Sequence, residues 1–178
     1  VLITGGSSGI GLAAAHKFAE AGATTIICGR DQDKLDEACA EAKAKGYQFI
    51  AYSADIADMA DCDRFVKQVI ADHGGVDFLI NNAGRSIRRA IEGSYDRFHD
   101  YERPMQLNYF GSLRLTLGLL PKMVEKRFGH VINVSSIGVL NGIVGEAAFS
   151  GLLSAWIIEN FPVPENMASV IGTAFVVV

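Results

Sequence analysis

The sequence VLITGGSSGIG at residues 1–11 decides the fold of this chain. Its first three residues are apolar, as in a short buried strand, and a helical pattern begins at Ile10. The glycines between them allow a tight turn and leave space for a bound group close to the backbone. A helix N-terminus then offers unpaired N–H groups and the positive end of its dipole to an anion. The stretch therefore predicts a phosphate cradle for a dinucleotide.

Length and composition predict one domain over residues 1–178. The glycine turn makes this a predicted dinucleotide-binding domain. It is expected to be incomplete at both ends; at the start, residue 1 is not Met and the first strand is short. The chain is 49% hydrophobic and 20% charged, as soluble globular proteins are. A net charge of −4 argues against a nucleic-acid partner. No apolar run approaches the roughly 20 residues that a membrane helix needs, and no signal peptide is visible, so a cytoplasmic protein without a membrane span is expected.

Cysteine and histidine residues are scattered along the chain. The cysteines are Cys28, Cys39 and Cys62. Their spacing is not that of metal ligands, so we expect no metal site and idle thiols in a reducing compartment.

Strand and helix patterns alternate along the chain. Strands are predicted at 1–3, 24–28, 48–53, 76–80, 131–134 and 174–178, and helices at 10–21, 31–45, 60–73, 98–127 and 147–159. Pro104 is expected to break the fourth helical stretch in two. This alternation predicts an α/β fold, a doubly wound Rossmann-type parallel sheet flanked by helices. Ligands of such sheets bind at the carboxyl ends of the strands.

The second strand is followed by Arg30, where an adenosine ribose should lie. A cation there suits the 2′-phosphate of NADP, whereas an acidic residue would bind the free hydroxyl of NAD. We therefore expect NADP(H) rather than NAD(H), although Arg30 could also be a solvated side chain. Asp31 could support NAD, but it is better interpreted as the cap of the next helix.

The third and fourth strands are also followed by polar turns. Asp55 could accept a hydrogen bond from an adenine amino group, or could be an ordinary turn residue. The sequence Asn81-Asn82-Ala83-Gly84 is either a turn or a place where the backbone lies against a flat cofactor.

Two further polar residues are candidates for chemistry. Asn108 lies within a largely apolar helix and is either a satisfied amide or a functional group. Ser136 ends the fifth strand, where a substrate could meet the cofactor, and is otherwise a strand-end cap.

Taken together, these motifs resemble the short-chain dehydrogenases/reductases over roughly residues 1–155. The family pattern Thr-Gly-x-x-x-Gly-Ile-Gly fits residues 4–11, Asn-Asn-Ala-Gly fits 81–84, the helix Asn fits Asn108, and Asn-hydrophobic-Ser-Ser fits 133–136. Residues 85–140 look most like the short-chain domains of bacterial fatty acyl-CoA reductases, notably at 97–103 and 108–111.

The resemblance implies a role for each matched residue. Gly5, Ser7, Ser8, Ile10 and Gly11 would contact the pyrophosphate, Arg30 the 2′-phosphate, Asp55 and Ile56 the adenine, and Asn82, Ala83 and Gly84 the central part of the cofactor. Ser136 would hold the substrate carbonyl, and Asn108 would anchor a water that relays protons. Members of the family commonly form homo-oligomers, and the same is expected here.

The pattern breaks at the residues that would complete the family's site. The family has a Tyr that donates a proton to the carbonyl oxygen and a Lys that lowers the pKa of that Tyr. Phe149 and Leu153 stand at those positions. Either the domain is a degenerate member, or residues 141–178 do not continue the family domain faithfully.

Three functions follow as hypotheses. The first is an NADP(H)-dependent oxidoreductase that reduces a carbonyl, or oxidises an alcohol, of a small or lipophilic substrate. The second is a catalytically silent domain that binds nucleotide or mediates dimerisation. The third is a methyltransferase-like binder of an adenosine cofactor, which the motifs at 81–84 and 135–136 disfavour.

Overall fold

The computed structural model describes residues 1–87, 89–135 and 171–177, of which Ile91 and 171–177 are described by their backbone alone. Its strands form one parallel sheet in the order β3-β2-β1-β4-β5-β6. They are β1 (Leu2–Thr4), β2 (Thr25–Gly29), β3 (Phe49–Ser53), β4 (Phe78–Asn81), β5 (Gly129–Ser135) and β6 (Ile171–Val177). The helices are α1 (Gly9–Glu20), α2 (Gln32–Ala44), α3 (Met59–His73), α4 (His99–Pro104) and α5 (Ser112–Lys126), with a 3-10 turn at Ile91–Gly93 and a π-helix at Met105–Gly111.

Two hydrophobic clusters cover opposite faces of the sheet. Successive strand residues point to opposite faces, so Leu2 packs with Phe65 of α3 and Leu119 of α5, while Ile3 packs with the cluster that contains Leu35 of α2. Ile26 and Leu79 join the first cluster and their neighbours Ile27 and Ile80 the second. Helices therefore pack on both faces, and the predicted doubly wound α/β architecture is confirmed.

The predicted break at Pro104 is confirmed only as a change of helix type: α4 ends at Pro104, but the backbone stays helical. Pro104 (φ −62, ψ −41) and Met105 (φ −60, ψ −43) are both helical, and the chain continues into the π-helix. Proline is disfavoured within a helix because it lacks an N–H group and its ring crowds the carbonyl four residues earlier. The wider i→i+5 spacing of the π-helix begins directly after Pro104.

Other element boundaries moved by a few residues. The last strand begins at Ile171 rather than at 174 and pairs in parallel with β5. The predicted helix at 147–159 lies outside the residues that the structure describes.

Candidate functional site

The carboxyl ends of β1, β2, β3 and β4 meet at a cleft of about 520 Å³. Among its lining residues are nine of the predicted site residues, namely Gly5, Ser7, Ser8, Arg30, Asp55, Ile56, Asn82, Ala83 and Gly84. The cleft also contains Cys28, Gly29, Asp31, Lys34, Ala54 and Leu107. Its volume is in the range of small-molecule and cofactor sites.

The glycine turn brings α1 close to the floor of the cleft. Gly5 (φ +63) and Gly9 (φ +53) adopt left-handed conformations that favour glycine. Gly11 is buried, and a Cβ on it would collide with the Gly5 carbonyl oxygen and with the Asn82 side chain. Ile10, in the first turn of α1, is half exposed. The absence of a side chain at Gly11 therefore leaves room for the Gly5 carbonyl and the Asn82 side chain, although Gly11 itself does not line the cleft.

The donors of the turn suit a phosphate group. Ser8 is the N-cap residue of α1, and its side chain makes no capping hydrogen bond. The first turn of α1 contains no acidic residue. Hydroxyl groups, helix N–H groups and a positive dipole end therefore meet at the cleft, a donor set that fits the pyrophosphate of a dinucleotide.

The Thr4 hydroxyl joins the turn after β1 to the turn after β4. Its Oγ1 accepts hydrogen bonds from the backbone N–H groups of Asn82 (3.0 Å) and Ala83 (2.9 Å) and donates to the Ile80 carbonyl (3.4 Å). The Asn82 side-chain amide donates in return to the Thr4 carbonyl (2.9 Å) and, at 3.4 Å, to that of Gly5. Thr4 is fully buried, so it shapes the cleft without touching a ligand. The prediction from sequence had missed it, although a hydroxyl at a buried strand end is a usable signal.

Four charged side chains, Arg30, Asp31, Lys34 and Asp55, lie where the cleft follows β2 and β3. Arg30 Nη1 lies 3.9 Å from Asp55 Oδ2, and Asp55 Oδ1 accepts a hydrogen bond from the Ala57 N–H (3.0 Å). Asp31 Oδ1 caps α2 by accepting from the Lys34 N–H (3.3 Å), as expected, and Asp31 Oδ2 lies 3.8 Å from Lys34 Nζ. Both ion pairs are solvent-exposed and add little to stability.

Cys28 lines the cleft but is not a nucleophile. Its side chain is buried, and burial raises the pKa of the thiol to about 12. The thiol therefore stays protonated at neutral pH.

Asn108 lies outside the cleft lining, in the π-helix, and holds the turn after β4. Its Oδ1 accepts from the Arg85 backbone N–H (2.9 Å), and its Nδ2 donates to the Arg85 carbonyl (2.9 Å). Both polar atoms of the side chain are thus used to position the loop that follows Gly84. The neighbouring residue, Leu107, faces the cleft.

A buried carboxylate organises the rest of this loop. Asp100, only 4% exposed, lies 3.1 Å from Arg89 Nε, 2.8 Å from Arg97 Nε and 3.2 Å from His99 Nε2. The hydrogen bond and charge of Arg97 hold the pKa of the Asp100 carboxyl below its usual range, with smaller contributions from His99 and Arg89. Asp100 therefore ties the loop after the cleft to the start of α4.

We expect Asp100→Asn to lower the melting temperature at pH 7 and to make the 85–98 loop more susceptible to proteolysis. The carboxyl pKa is lower in the folded than in the unfolded protein, so its stabilisation is present above the unfolded pKa of about 3.9. It is lost as the pH falls through the folded pKa. The gap in melting temperature between wild type and variant should therefore be full at pH 7 and narrow below about pH 4. Glu92→Gln, an exposed change in the same loop, is the control; an equal effect there, or a gap that does not depend on pH, would contradict the assignment.

The residues that the structure describes contain neither a metal-site cluster nor a membrane-spanning helix. No group of three His, Cys, Asp or Glu side chains there could hold a metal ion. None of the helices described has the length and apolar character needed to cross a membrane. Ser136, Phe149 and Leu153 lie outside the residues that the structure describes.

Residues 1–151 match the family model for the short chain dehydrogenases. The chain is 53% identical over 139 residues to a fatty acyl-CoA reductase of Acinetobacter baylyi, a match that covers 78% of this chain and 47% of the relative. It is 45% identical over 141 residues to a fatty acyl-CoA reductase of Mycobacterium tuberculosis, covering 79% of this chain and 48% of the relative. The chain thus spans about half the length of these curated relatives.

A solved structure also resembles the fold. It is a metagenomic short-chain oxidoreductase in complex with NADP, with a TM-score of 0.86 and 26% identity, covering 99% of this chain and 80% of that one. Sequence and structure comparisons therefore agree on the resemblance that the motifs indicated.

Proposed function

This chain belongs to the short-chain dehydrogenase/reductase family, and we propose that it acts as an NADP(H)-dependent oxidoreductase on a carbonyl, or the corresponding alcohol, of a lipophilic substrate. The observation that carries the proposal is the glycine-floored cleft at the carboxyl ends of β1 to β4, with Arg30 at the adenosine end. The names of the two relatives point to fatty acyl groups as the substrate class.

The preference for NADP(H) is supported by the charge at the end of β2. Arg30 is 61% exposed, so its guanidinium can turn from Asp55 towards a 2′-phosphate. That the metagenomic relative binds NADP is consistent with this choice. The remaining contacts are proposed as the resemblance implies: the residues of the glycine turn for the pyrophosphate, Asp55 and Ile56 for the adenine, and 82–84 for the central cofactor.

Ser136 and Asn108 are proposed to act at the reacting end. A nicotinamide dinucleotide supplies a hydride to the carbonyl carbon when bound. The Ser136 hydroxyl would donate a hydrogen bond to the carbonyl oxygen and stabilise its developing negative charge. Each side-chain polar atom of Asn108 makes one hydrogen bond to Arg85, so the proposed relay water would use the second lone pair of Oδ1, the second N–H of Nδ2 or the Asn108 backbone carbonyl.

Phe149 and Leu153 motivate one alternative, a catalytically silent nucleotide-binding or dimerisation domain. A phenyl ring has no proton to donate, and Leu carries no charge to lower a pKa. If the chain is an active reductase, a group other than the residue at position 149 donates the proton to the carbonyl oxygen. Turnover by the unmodified chain separates these two readings.

A single domain over 1–178 and a homo-oligomer are proposed as well. Phe110 in the π-helix and Leu117 in α5 are exposed apolar side chains that would be suited to an interface between copies. Sedimentation of the purified chain measures the assembly directly.

The proposed function is tested in two steps with the purified chain. Fluorescence titration should show NADPH binding about tenfold or more tightly than NADH, as a charge-assisted contact to the 2′-phosphate requires. NADPH oxidation is then followed with long-chain aldehydes and long-chain acyl-CoA thioesters. Ser136→Ala should lower kcat about 100-fold with little change in NADPH binding, as loss of a donor to an oxyanion does.

Ser53→Ala, a change of an exposed serine at the end of β3, serves as the control. A folded chain that binds NADPH but oxidises none with any substrate would reject the reductase and favour the silent domain. A chain that binds S-adenosylmethionine in preference to NADPH would reject both.

A further inference from the structure

A series of buried side-chain hydrogen bonds joins the sheet to the helix that follows the π-helix. Asn81, at the carboxyl end of β4, is only 5% exposed and pairs in register with Asn133 of β5. The Asn81 Nδ2 donates to Asn133 Oδ1 at 3.0 Å and to Thr116 Oγ1 of α5 at 3.2 Å. The Thr116 hydroxyl donates in turn to the Ser112 carbonyl at 2.8 Å. Two strands and the start of α5 are therefore connected through polar groups inside the protein.

Thr116 determines the direction of these hydrogen bonds. A hydroxyl group has one proton to donate, and the proton of Thr116 is used by the Ser112 carbonyl. Thr116 can therefore only accept from Asn81, whose amide nitrogen uses both of its N–H groups on Thr116 and Asn133. Among the residues that the structure describes, no group donates to the buried Asn81 Oδ1. Within that part of the chain the Asn81 side chain is thus held by its nitrogen, and Thr116 supplies one of the two acceptors.

A second contact holds the carboxyl end of the π-helix. Gly111, its last residue, is buried against the turn after β3, and a Cβ on Gly111 would collide with the Ile56 carbonyl oxygen. Backbone can approach backbone this closely only where no side chain intervenes. The next residue, Ser112, is the one whose carbonyl receives the Thr116 hydroxyl. The π-helix therefore ends between two contacts, one to the turn after β3 and one to β4 and β5 through Asn81.

The π-helix in turn places two residues at the candidate site. Leu107 lines the cleft, and Asn108 holds the backbone of Arg85 with two hydrogen bonds of 2.9 Å. About one turn of helix separates Asn108 from Ser112. π-helical turns are rare and are frequently found at functional sites. A displacement at the end of this π-helix would therefore move Asn108 and Leu107 together.

We propose that Thr116 is a positioning residue of the reductase site, which fixes the π-helix through Asn81 so that Asn108 holds the loop after β4. Thr116 does not line the cleft, so its effect on the reaction passes through the π-helix. For its effect on turnover, this assignment rests on the proposed reductase function. The position of the loop after β4 reports on the role of Thr116 without any turnover.

A purely structural role for Thr116 predicts a different result. Loss of its hydroxyl would then lower the free energy of unfolding and leave the Arg85 amide unchanged in the folded protein. A positioning role predicts that the loop opens more often at Arg85, whose N–H donates to Asn108 Oδ1. Native-state hydrogen exchange at the Arg85 amide therefore separates the two roles.

The experiment compares Thr116→Val and Thr116→Ser with the wild type. Valine has the shape of threonine but can neither accept from Asn81 nor donate to Ser112. In Thr116→Val the Arg85 amide should exchange about tenfold faster, and kcat should fall about tenfold, since small misplacements near reacting groups are costly. The Kd for NADPH should change less than about threefold, because the phosphate donors lie at the start of α1. Thr116→Ser retains the hydroxyl and should restore both exchange and kcat.

Thr25→Val is the matched control, because it removes a buried hydroxyl that donates to a backbone carbonyl at 3.1 Å, at the amino end of β2. Its exchange at Arg85 and its kcat should equal those of the wild type. Unchanged exchange at Arg85 in Thr116→Val, an equal change in Thr25→Val, or no recovery in Thr116→Ser would overturn the assignment. So would an unchanged kcat in a chain that turns over substrate. A wild-type chain without turnover would refute the reductase, and exchange at Arg85 would still decide whether Thr116 positions the loop.

Discussion

Replacing Gly11 with alanine is expected to abolish dinucleotide binding, with an increase of about 100-fold or more in the Kd for NADPH. The new methyl group would collide with the Gly5 carbonyl oxygen and the Asn82 side-chain nitrogen. The Gly5 carbonyl belongs to the backbone of the cradle, so it cannot move aside as a flexible side chain could. Either α1 shifts away from β1 or the turn after β1 changes shape, and both misplace the phosphate donors. Overpacking of this kind also costs about 1–3 kcal/mol of folding free energy or somewhat more.

The measurement is a fluorescence titration with NADPH, combined with thermal unfolding. Gly93→Ala is the control, because a Cβ at Gly93 meets only the flexible side chain of Arg89 at an ordinary distance of 3.5 Å. We expect the control to bind as the wild type does. Tight NADPH binding by Gly11→Ala would show that the cradle tolerates a Cβ there, and would remove the geometric basis of the proposed site.

Replacing Thr4 with valine is expected to lower the free energy of unfolding by about 2–4 kcal/mol. Valine has the shape of threonine but cannot accept the two hydrogen bonds from the Asn82 and Ala83 N–H groups. Each donor left without a partner in a buried place costs about 1–3 kcal/mol. The turn after β4 should also loosen, so that NADPH binds more weakly.

Denaturant unfolding measures the stability change, and two variants isolate its cause. Thr4→Ser retains the hydroxyl and should recover most of the stability. Thr25→Val is equally buried but removes only a hydroxyl that donates to the Ala23 carbonyl at 3.1 Å, so its effect should be about 1 kcal/mol. Similar losses in Thr4→Val and Thr25→Val would mean that Thr4 has no special role in joining the two turns.

Local features of the sequence predicted much of the fold. Asp31 was expected to cap α2 and does so, because a short carboxylate side chain can reach the N–H groups of the first turn from its own position. The alternation of strand and helix patterns predicted the parallel sheet, and the family comparisons confirm the resemblance. These signals depend on neighbours along the chain, so no knowledge of distant contacts was needed.

Features that depend on distant contacts were missed or interpreted incorrectly. Pro104 was expected to break a helix, yet the backbone passes through it into a π-helix. Lys34 was not among the predicted site residues, although it lines the cleft together with Arg30. Leu107 was likewise not predicted as a site residue, but it lines the cleft.

The sequence by itself determined the parallel α/β sheet, the glycine turn at its edge and the resemblance to the short-chain dehydrogenases/reductases. These follow from hydrophobic periodicity, from conformations that favour glycine and from residue spacing, all of which are properties of short stretches of chain. Only the tertiary structure decided that Thr4 holds the turn after β4 and that Asn108 binds the backbone of Arg85. It also placed Lys34 and Asp31 as a paired charge at the rim of the cleft. The hydrogen bonds of Thr4 and Asn108 join residues 78, 79 and 23 positions apart, and the rim exists only once separate strands have assembled.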